Sequence, residues 1–234
     1  MTLRSRYVSG VVAAIALGAL AVAIFGGTAN SEAGQSVKCF GKSATIVGTK
    51  KSDTGDKAID GTPGNDVIVG LGGSDDIEGK GGNDLICGND GSDGITGDND
   101  TPGCFGESET DGNDKINGGD GHDGIRGCDG EDVIKASDST DRVEGNFGDD
   151  KLTGGKGDDL VEGGSGTDIV SGGPDKAGFP QSDSVNGGPG DGDVVSGDLG
   201  ADSVGGGDGV DDSCDGGQGN DSDDGGCESI VNVP

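Results

Sequence analysis

The residues best suited to chemistry in this chain are aspartates that recur at a fixed spacing. From Gly61, the nine-residue pattern Gly-x-x-Gly-x-Asp-x-(aliphatic)-x repeats without a gap as GTPGNDVIV, GLGGSDDIE, GKGGNDLIC and GNDGSDGIT. Carboxylates repeated without histidine or cysteine at matching positions are ligands for a hard cation, not for a softer metal. The spacing therefore predicts a series of cation sites.

The pattern resumes after an interruption and becomes looser towards the C-terminus. The second block begins with the copies ETDGNDKIN, GGDGHDGIR and GCDGEDVIK. A degenerate copy, ASDSTDRVE, comes next, and the block ends with GNFGDDKLT, GGKGDDLVE and GGSGTDIVS. In a third block, Asp183, Asp193, Asp202, Asp211 and Asp221 are nine or ten residues apart. The candidate metal ligands are Asp66, Asp75, Asp84, Asp93, Asp114, Asp123, Asp132, Asp141, Asp150, Asp159, Asp168, Asp202 and Asp211.

Each repeat divides into six residues that turn and three that extend. Glycine at the first and fourth positions permits the tight turn, and the aliphatic residue is the middle one of the extended three, so it points inwards. Two units then form one coil, and stacked coils form two short parallel sheets with a seam of Ile, Val and Leu between them. The aspartates of units i and i+2 lie about 4.8 Å apart in this arrangement and repel each other unless a cation separates them. An all-oxygen, flexible cage of this kind suits Ca²⁺ better than Mg²⁺.

The pattern also divides the chain into segments. Residues 1–33 precede the mature protein, and residues 34–60 form an N-terminal capping segment with a predicted strand at Ser43–Val47. The solenoid is predicted to occupy residues 61–226, with insertions near 97–108 and 174–181, and residues 227–234 form a C-terminal cap. Terminal units of a solenoid need a different outer face, which is the role expected of both caps.

The bulk composition explains why a ligand is needed. The chain has 234 residues, a formal net charge of −30, 55 glycines and only 28% hydrophobic residues, which is typical of disorder in the absence of a ligand. A polyanion of this density is not expected to bind nucleic acid. Its natural partners are cations or cationic surfaces.

The N-terminus has the features of a secretory signal, for which we expect a cleavable helix ahead of the repeats. Arg4 and Arg6 precede an apolar run from Val8 to Phe25, and small residues follow up to Ala33, after which we expect cleavage. An uncleaved anchor is the alternative, because the run is just long enough to span a bilayer. Removing residues 1–33 takes away two arginines and one glutamate, a net +1, and so leaves a mature chain of −31. After cleavage, no permanent membrane anchor is expected.

Six cysteines follow the predicted signal: Cys39, Cys87, Cys104, Cys128, Cys214 and Cys227. In an exported protein they predict three disulfides, for which 15 pairings are possible. Pairing Cys214 with Cys227 would staple the C-terminal end, and pairing Cys104 with Cys128 would tie the first insertion to the repeats. Zinc is the alternative, but there is no CxxC pair and His122 is the only histidine.

The repeat closely resembles the GGxGxDxUx nonapeptide of the RTX, or hemolysin-type, calcium-binding repeat family. GGKGDDLVE and GGSGTDIVS match it at every defined position, and the resemblance covers residues 61–171 well and 187–224 loosely. It implies an all-β fold, a right-handed parallel β-roll with calcium between its turns. It also implies that the sixth-position aspartates and the turn carbonyls are the ligands. Many members carry a C-terminal export signal and a toxin or enzyme domain, and neither is recognisable here.

These observations favour a secreted calcium-binding repeat protein whose folding is coupled to calcium, with a structural or surface-interaction role. An adhesin that binds cell-surface, matrix or glycan components is the alternative. An extracellular hydrolase with paired carboxylates is a weaker one, because every periodic aspartate already has a structural use and no motif pairs a nucleophile with a base. The sequence therefore predicts a protein that is not an enzyme, and His122 is expected to be an exposed turn residue.

The degenerate copy ASDSTDRVE predicts that the two edges of the solenoid differ in how well they bind ions. Ala136-Ser137-Asp138-Ser139 lacks the turn glycines although Asp141 remains. The edge that contains Asp141 should therefore bind ions weakly. The opposite edge, which pairs Asp114, Asp132, Asp150 and Asp168 in succession, should bind them best.

Overall fold

The structure is a computed structural model that describes residues 36–99, 104, 111–174 and 181–231. The predicted signal peptide with its N-terminal helix, most of both insertions and the last three residues lie outside the described residues. Within the described part, the chain contains β-strands and a single 3₁₀ turn, Gly55–Lys57, and no α-helix.

Two long parallel sheets account for most of the strands, which are numbered β1 to β23 in chain order. Sheet 1 consists of β3 (Ile46–Val47), β5 (Val67–Gly72), β7 (Leu85–Asp90), β9 (Lys115–Asp120), β11 (Val133–Asp138), β13 (Lys151–Lys156), β15 (Ile169–Ser171), β17 (Val194–Ser196), β20 (Ser213–Asp215) and β23 (Ser229–Val231). Sheet 2 consists of β4 (Ile59–Asp60), β6 (Asp76–Lys80), β8 (Gly94–Asp98), β10 (Gly124–Asp129), β12 (Arg142–Phe147), β14 (Leu160–Ser165), β16 (Ser184–Asn186), β19 (Ser203–Gly205) and β22 (Ser222–Gly225).

The chain alternates between these sheets, so each coil contributes one strand to each of them. Ile68 pairs with Ile86 in sheet 1, and Ile77 pairs with Ile95 in sheet 2, which is a separation of two nine-residue units in both cases. This is the coil predicted from the repeat. The prediction of an all-β parallel solenoid is confirmed.

The core is the predicted single file of aliphatic side chains between the sheets. From β4 to β20, each strand of the two sheets buries one side chain in this file, and most of these side chains are 0–1% exposed. The file contains Ile59, Ile68, Ile77, Ile86, Ile95, Ile116, Ile125, Ile134, Val143, Leu152, Val161, Val170, Val185, Val195, Val204 and Cys214. Such a narrow core leaves the rest of the stability to backbone hydrogen bonds and to the turns.

The first insertion leaves the sheet register undisturbed. Ile86 pairs with Ile116, a separation of 30 residues, so 30 − 18 = 12 residues are added within one turn. The strands on either side of the insertion remain parallel and in register. The predicted insertion near residues 97–108 agrees with this spacing, and most of it lies outside the described residues.

A small hairpin covers the N-terminal part of sheet 1. It consists of β1 (Lys38–Cys39) and β2 (Lys42–Ser43), which are antiparallel. Cys39 packs with Val69 and Cys87 in a second, smaller hydrophobic cluster outside the main file. The predicted strand Ser43–Val47 is thus divided between β2 and β3, and β3 is the terminal strand of sheet 1.

All six cysteines form disulfides, in the pairs Cys39–Cys87, Cys104–Cys128 and Cys214–Cys227. The two predicted pairings are confirmed. The third pair joins the hairpin to β7. Each disulfide therefore fastens a non-repetitive segment to the repeats.

The coils between Val185 and Asp223 contain one extra residue each, and this moves the core by one position. The nine-residue spacing from Val204 would put Ser213 in the core, but Ser213 is half-buried and Cys214 is the residue that is 0% exposed there. Val204 then pairs with Asp223, which is exposed. The core thus continues to Cys214 before it ends, one residue away from the predicted register. A small separate pair, β18 (Leu199–Gly200) and β21 (Gln218–Gly219), occupies the turns of these coils.

Candidate metal centre

The sixth-position aspartates form two continuous ladders, one along each edge of the solenoid. The backbone N–H of each aspartate donates a hydrogen bond to Oδ1 of the aspartate one coil further on, for example from Asp132 to Asp150 at 2.8 Å. Aspartates of units i and i+2 are therefore stacked as predicted. The first ladder, before the strands of sheet 1, contains Asp66, Asp84, Asp114, Asp132, Asp150, Asp168, Asp193 and Asp212. The second ladder, before the strands of sheet 2, contains Asp53, Asp75, Asp93, Asp123, Asp141, Asp159, Asp183, Asp202 and Asp221.

The second carboxylate oxygen of these residues is the unusual feature. From Asp75 onwards, Oδ2 of every ladder aspartate is buried without a hydrogen-bond partner among the described residues. The side chains concerned are mostly 0–4% exposed. A buried polar atom without a partner costs about 1–3 kcal/mol, and more when it is charged. A row of such atoms is suited to binding cations or protons.

The first member of each ladder is an exception, because a threonine four residues earlier satisfies it. Thr62 donates its backbone N–H and its hydroxyl to Asp66 Oδ2, both at 2.8 Å. Thr49 donates its backbone N–H to Asp53 Oδ2 at 2.6 Å and its hydroxyl to Asp53 Oδ1 at 3.1 Å. Neither Asp66 nor Asp53 therefore needs a cation to balance its hydrogen bonding.

Where a repeat begins with glycine and its aspartate Oδ2 has no partner, that glycine faces the oxygen. A Cβ built on Gly88 would lie 2.3 Å from Asp93 Oδ2 and 2.6 Å from the Gly118 carbonyl oxygen. A Cβ on Gly145 would lie 2.2 Å from Asp150 Oδ2 and 2.4 Å from the Gly163 carbonyl oxygen. The same glycine position thus keeps a carboxylate of one unit and a carbonyl of the next coil free to face each other. No other residue type leaves that space open.

Burial raises the pKa of these carboxyl groups well above the usual value of about 3.9 for aspartate. In the first ladder the pKa reaches about 7 for Asp84, about 8 for Asp114, about 9 for Asp132 and about 7 for Asp150. Loss of water around the carboxylate is the main cause, and the charges of stacked neighbours add to it. The backbone N–H bond to Oδ1 acts in the opposite direction but does not cancel these effects.

The second ladder shows the same trend. Burial raises the pKa of Asp75 to about 6 and that of Asp123 and Asp141 to about 7. Neighbouring aspartates raise it further, while the N–H bond from the preceding coil lowers it. Both edges therefore concentrate negative charge in a place from which water is excluded.

These donors fit calcium, although they do not form a ready-made cluster. Within the described ranges, no group of three or more His, Cys, Asp or Glu side chains is arranged to hold a metal ion. The carboxylates come one per coil on each edge, so an ion would take Oδ2 oxygens from the ladder and the rest of its ligands from glycine carbonyls. Calcium accepts many oxygen ligands in flexible geometry, including backbone carbonyls. The cysteines are all oxidised and thus give a softer metal nothing to bind.

The structure places all but one of the predicted ligands in the ladders, and Asp211 is the correction. Asp211 is exposed and has a φ of 66°, while Asp212 is 0% exposed and accepts the N–H of Asp193 at 3.0 Å. The turn GGDGVDD has one residue more than the repeat allows, as has GGPGDGD in the preceding coil. The extra residue of GGDGVDD is Asp211, which adopts a left-handed conformation. Gly192 does the same at the equivalent place in GGPGDGD, with a φ of 82°.

The ladders also contain aspartates that were not among the predicted ligands. Asp183, Asp193 and Asp221 follow the looser spacing of the third block, so the period itself could have identified them. Aligning the two seven-residue turns would have identified Asp212. Asp53 precedes the first full repeat, and a 3₁₀ turn separates it from its strand. No signal in the sequence distinguishes it from an ordinary acidic residue.

Asp98, at the root of the first insertion, was also missed. It is 2% exposed, accepts the Gly112 N–H through Oδ1 at 3.2 Å and has no partner for Oδ2 in the described part of the chain. Burial, followed by the charges of Asp114 and Asp111, raises the pKa of Asp98 to about 8. The insertion thus begins at an additional buried carboxylate beside the first ladder.

His122 lies outside both ladders. It is exposed, and its Nδ1 is 2.9 Å from the Thr140 carbonyl oxygen in the next coil. This is the exposed turn position that the sequence predicts.

Comparison with known proteins agrees with the geometry of the repeats. The family described as RTX calcium-binding nonapeptide repeat (4 copies) matches residues 59–101, 110–134 and 135–170. A search of the curated proteins gave no match, and a search of the solved structures gave none. No helix among the described residues is long and apolar enough to cross a membrane. The nine-residue period and the stacked aspartates thus occupy the same segments, residues 59–101 and 110–170, that match the RTX calcium-binding nonapeptide repeat family.

Proposed function

We propose that this protein is a secreted calcium-binding repeat protein whose folding is coupled to calcium and whose role is structural or surface-binding. The row of buried Asp Oδ2 oxygens without hydrogen-bond partners supports this proposal best. Calcium ions along the two ladders would neutralise these oxygens and would use the facing glycine carbonyls as further ligands. We place the ions between the coils of a right-handed roll.

Coupling to folding follows from the balance of forces. The core is one side chain thick, and the ladders stack negative charge at intervals of about 4.8 Å. Without calcium, burying these charges opposes folding, whereas with calcium the binding free energy becomes folding free energy. Extracellular calcium modules bind at roughly 10⁻⁴ to 10⁻³ M. The protein would then stay unfolded at cytosolic calcium levels and fold after export through the N-terminal signal.

A non-catalytic role is part of the proposal. Carboxyl groups with a pKa near 7 often mark active sites, because they can exchange protons at neutral pH. Here the groups with raised pKa, such as Asp132 and Asp150, are only 1–2% exposed inside the turns. A substrate could not reach them, so calcium binding accounts for them better than catalysis.

A calcium titration of the metal-free protein, followed by far-UV circular dichroism, tests the coupling. We expect a cooperative gain of β-structure as calcium rises into the millimolar range. Magnesium at the same concentration should be much less effective, because it retains its water and prefers a rigid octahedron. The proposal is wrong if β-structure is unchanged by calcium.

The two ladders should differ in the number of ions they bind. In the second ladder, Ala136 places a Cβ at the position where neighbouring repeats have glycine, in the same repeat as Asp141. Ser137 and Ser139 adopt positive φ angles of 105° and 94°, where serine is strained. We therefore expect Asp150→Ala to lower the calcium stoichiometry more than Asp141→Ala does. Isothermal titration calorimetry of both variants measures this, and equal losses would show that the two ladders bind alike.

A further inference from the structure

The outer face of sheet 1 differs in charge from the rest of this acidic protein. Each strand directs the residues on either side of its buried core residue outwards. From β9 to β17, none of these outward positions carries a carboxylate, although the chain has 45 acidic residues. The positions are Lys115, Asn117, Val133, Lys135, Lys151, Thr153, Ile169, Ser171, Val194 and Ser196.

Sheet 2 provides the contrast. Its outward positions include Asp76, Glu78, Glu144 and Glu162 together with Arg126 and Arg142. Both arginines form ion pairs there: Arg126 contacts Glu144 at 3.3 Å, and Arg142 contacts Glu162 at 3.3 Å. The positive charges of sheet 2 are thus balanced by its own carboxylates. Lys115, Lys135 and Lys151 on sheet 1 form no ion pair with a described residue.

Exposed apolar side chains lie between these lysines. Val133 pairs in register with both Lys115 and Lys151, and it is 42% exposed. Ile169 and Val194 pair with each other on the next strands, and each is 49% exposed. Adjacent exposed β-branched residues cost solvation free energy unless a partner covers them.

The N-terminal hairpin extends the same surface. Lys38 and Lys42 are exposed on it, and its Phe40 ring, 41% exposed, lies 4.6 Å from Lys115 Nζ. We call this surface the lysine face, and it consists of Lys38, Phe40, Lys42, Lys115, Val133, Lys135, Lys151, Ile169 and Val194. It is flat, cationic and partly apolar in a protein whose overall charge is strongly negative.

We propose that the lysine face docks the folded protein reversibly on an anionic lipid bilayer surface. Lysines near such a surface are attracted to acidic headgroups, and exposed aliphatic side chains between them can enter the headgroup boundary. An acidic polysaccharide would satisfy the lysines but would leave the aliphatic side chains in water. Calcium bound along the ladders would also reduce the repulsion between the acidic edges and the membrane.

The proposal rests on the proposed function only in that the lysine face exists once the coils have folded with calcium. Circular dichroism of the same samples reports that folding separately. A folded protein that does not bind vesicles contradicts the docking proposal alone, and an unfolded protein contradicts the calcium-coupled folding.

Vesicle flotation with calcium present tests the docking of the full secreted chain. We expect it to bind vesicles of phosphatidylcholine containing phosphatidylglycerol, and not vesicles of phosphatidylcholine alone. Equal binding to both would overturn the proposal, and so would binding to a soluble acidic polysaccharide without binding to vesicles.

Two variants with the same change in charge identify the face that binds. Lys135→Gln/Lys151→Gln removes two positive charges from the lysine face, and Arg126→Gln/Arg142→Gln removes two from sheet 2. We expect the lysine variant to bind anionic vesicles about thirtyfold more weakly, and the arginine variant to change little. Equal losses in both variants, or no loss in either, would show that net charge or calcium bridging holds the protein to the vesicle, and would overturn the proposal.

Discussion

The metal-free protein is expected to gain β-structure as the pH falls from about 8 to about 4, so that its difference from the calcium-saturated protein disappears over the same range. In the folded state, burial raises the pKa of Asp75 to about 6, that of Asp150 to about 7 and that of Asp132 to about 9. A group whose pKa is raised by folding contributes its stability below the unfolded pKa, near 3.9, and that contribution is lost as the pH rises through the folded value.

The expected change in stability of the metal-free fold is large because many buried aspartates contribute to it. Ionising Asp150 alone, with a folded pKa of about 7, weakens the metal-free fold by roughly 4 kcal/mol at high pH. Protonation also provides a physical substitute for the ion, because an Oδ2–H group would face the glycine carbonyl of the next coil. A proton can thus take the position of calcium in the ladder.

Circular dichroism of metal-free and calcium-saturated samples across this pH range measures both trends. The calcium-saturated sample is the control, since protons compete with calcium for the same oxygens. If the metal-free protein were equally unfolded at every pH, buried aspartate charge would not be what prevents it from folding. If the difference between the two samples persisted at about pH 4, protons and calcium would not compete for the ladder oxygens.

Gly145→Ala is expected to destabilise the calcium-bound protein by about 1–3 kcal/mol and to weaken its calcium binding. The new methyl group would lie 2.2 Å from Asp150 Oδ2 and 2.4 Å from the Gly163 carbonyl oxygen. It would therefore separate two oxygens that we propose as ligands. The alanine at residue 136 shows that the coil can accommodate this methyl group, so we expect a folded but impaired variant.

Gly124→Ala is the matched control. Gly124 lies on the adjacent strand of sheet 2 with nothing within 4 Å of a Cβ built on it. We expect this change to be neutral or to stabilise the protein by about 0.5–1 kcal/mol, because alanine in a strand loses less entropy on folding. Urea unfolding at fixed calcium gives both free energies. Equal effects of the two substitutions would mean that the space beside Oδ2 has no special role.

The opposite change, from alanine to glycine, should have the opposite effect on calcium binding. Ala136→Gly should raise the calcium affinity of the second ladder near Asp141, because it restores the glycine found in neighbouring repeats. Calorimetry of this variant beside Gly145→Ala would show opposite shifts. Shifts in the same direction would contradict the role assigned to the first-position glycine.

The regular part of the fold could be predicted from the sequence because a single pattern determines it. Asp132, Ile134 and Gly127 each occupy a fixed place in the nine-residue unit, and each lies where that unit requires. The stacking of Asp132 on Asp150 then follows from two units per coil. Because the same unit recurs so often, its geometry determines most of the regular fold.

The pattern was insufficient where the chain departs from it. Asp211 was predicted in place of Asp212 because a seven-residue turn and a six-residue turn both fit a spacing of nine to ten residues. The left-handed conformation of Asp211 shows where the extra residue lies. Asp66 Oδ2 has hydrogen-bond partners because Thr62 donates to it, and Thr62 occupies a variable position of the repeat. The charge of the lysine face becomes visible only when alternate strands are placed side by side.

Native mass spectrometry of the secreted protein, with and without a chelator, tests the central claim most directly. The account predicts a compact species that carries several calcium ions, lacks residues 1–33 and becomes an extended, highly charged species when the ions are removed. The same compact species without bound calcium would contradict it, because the buried Asp Oδ2 oxygens would then be tolerated without any cation.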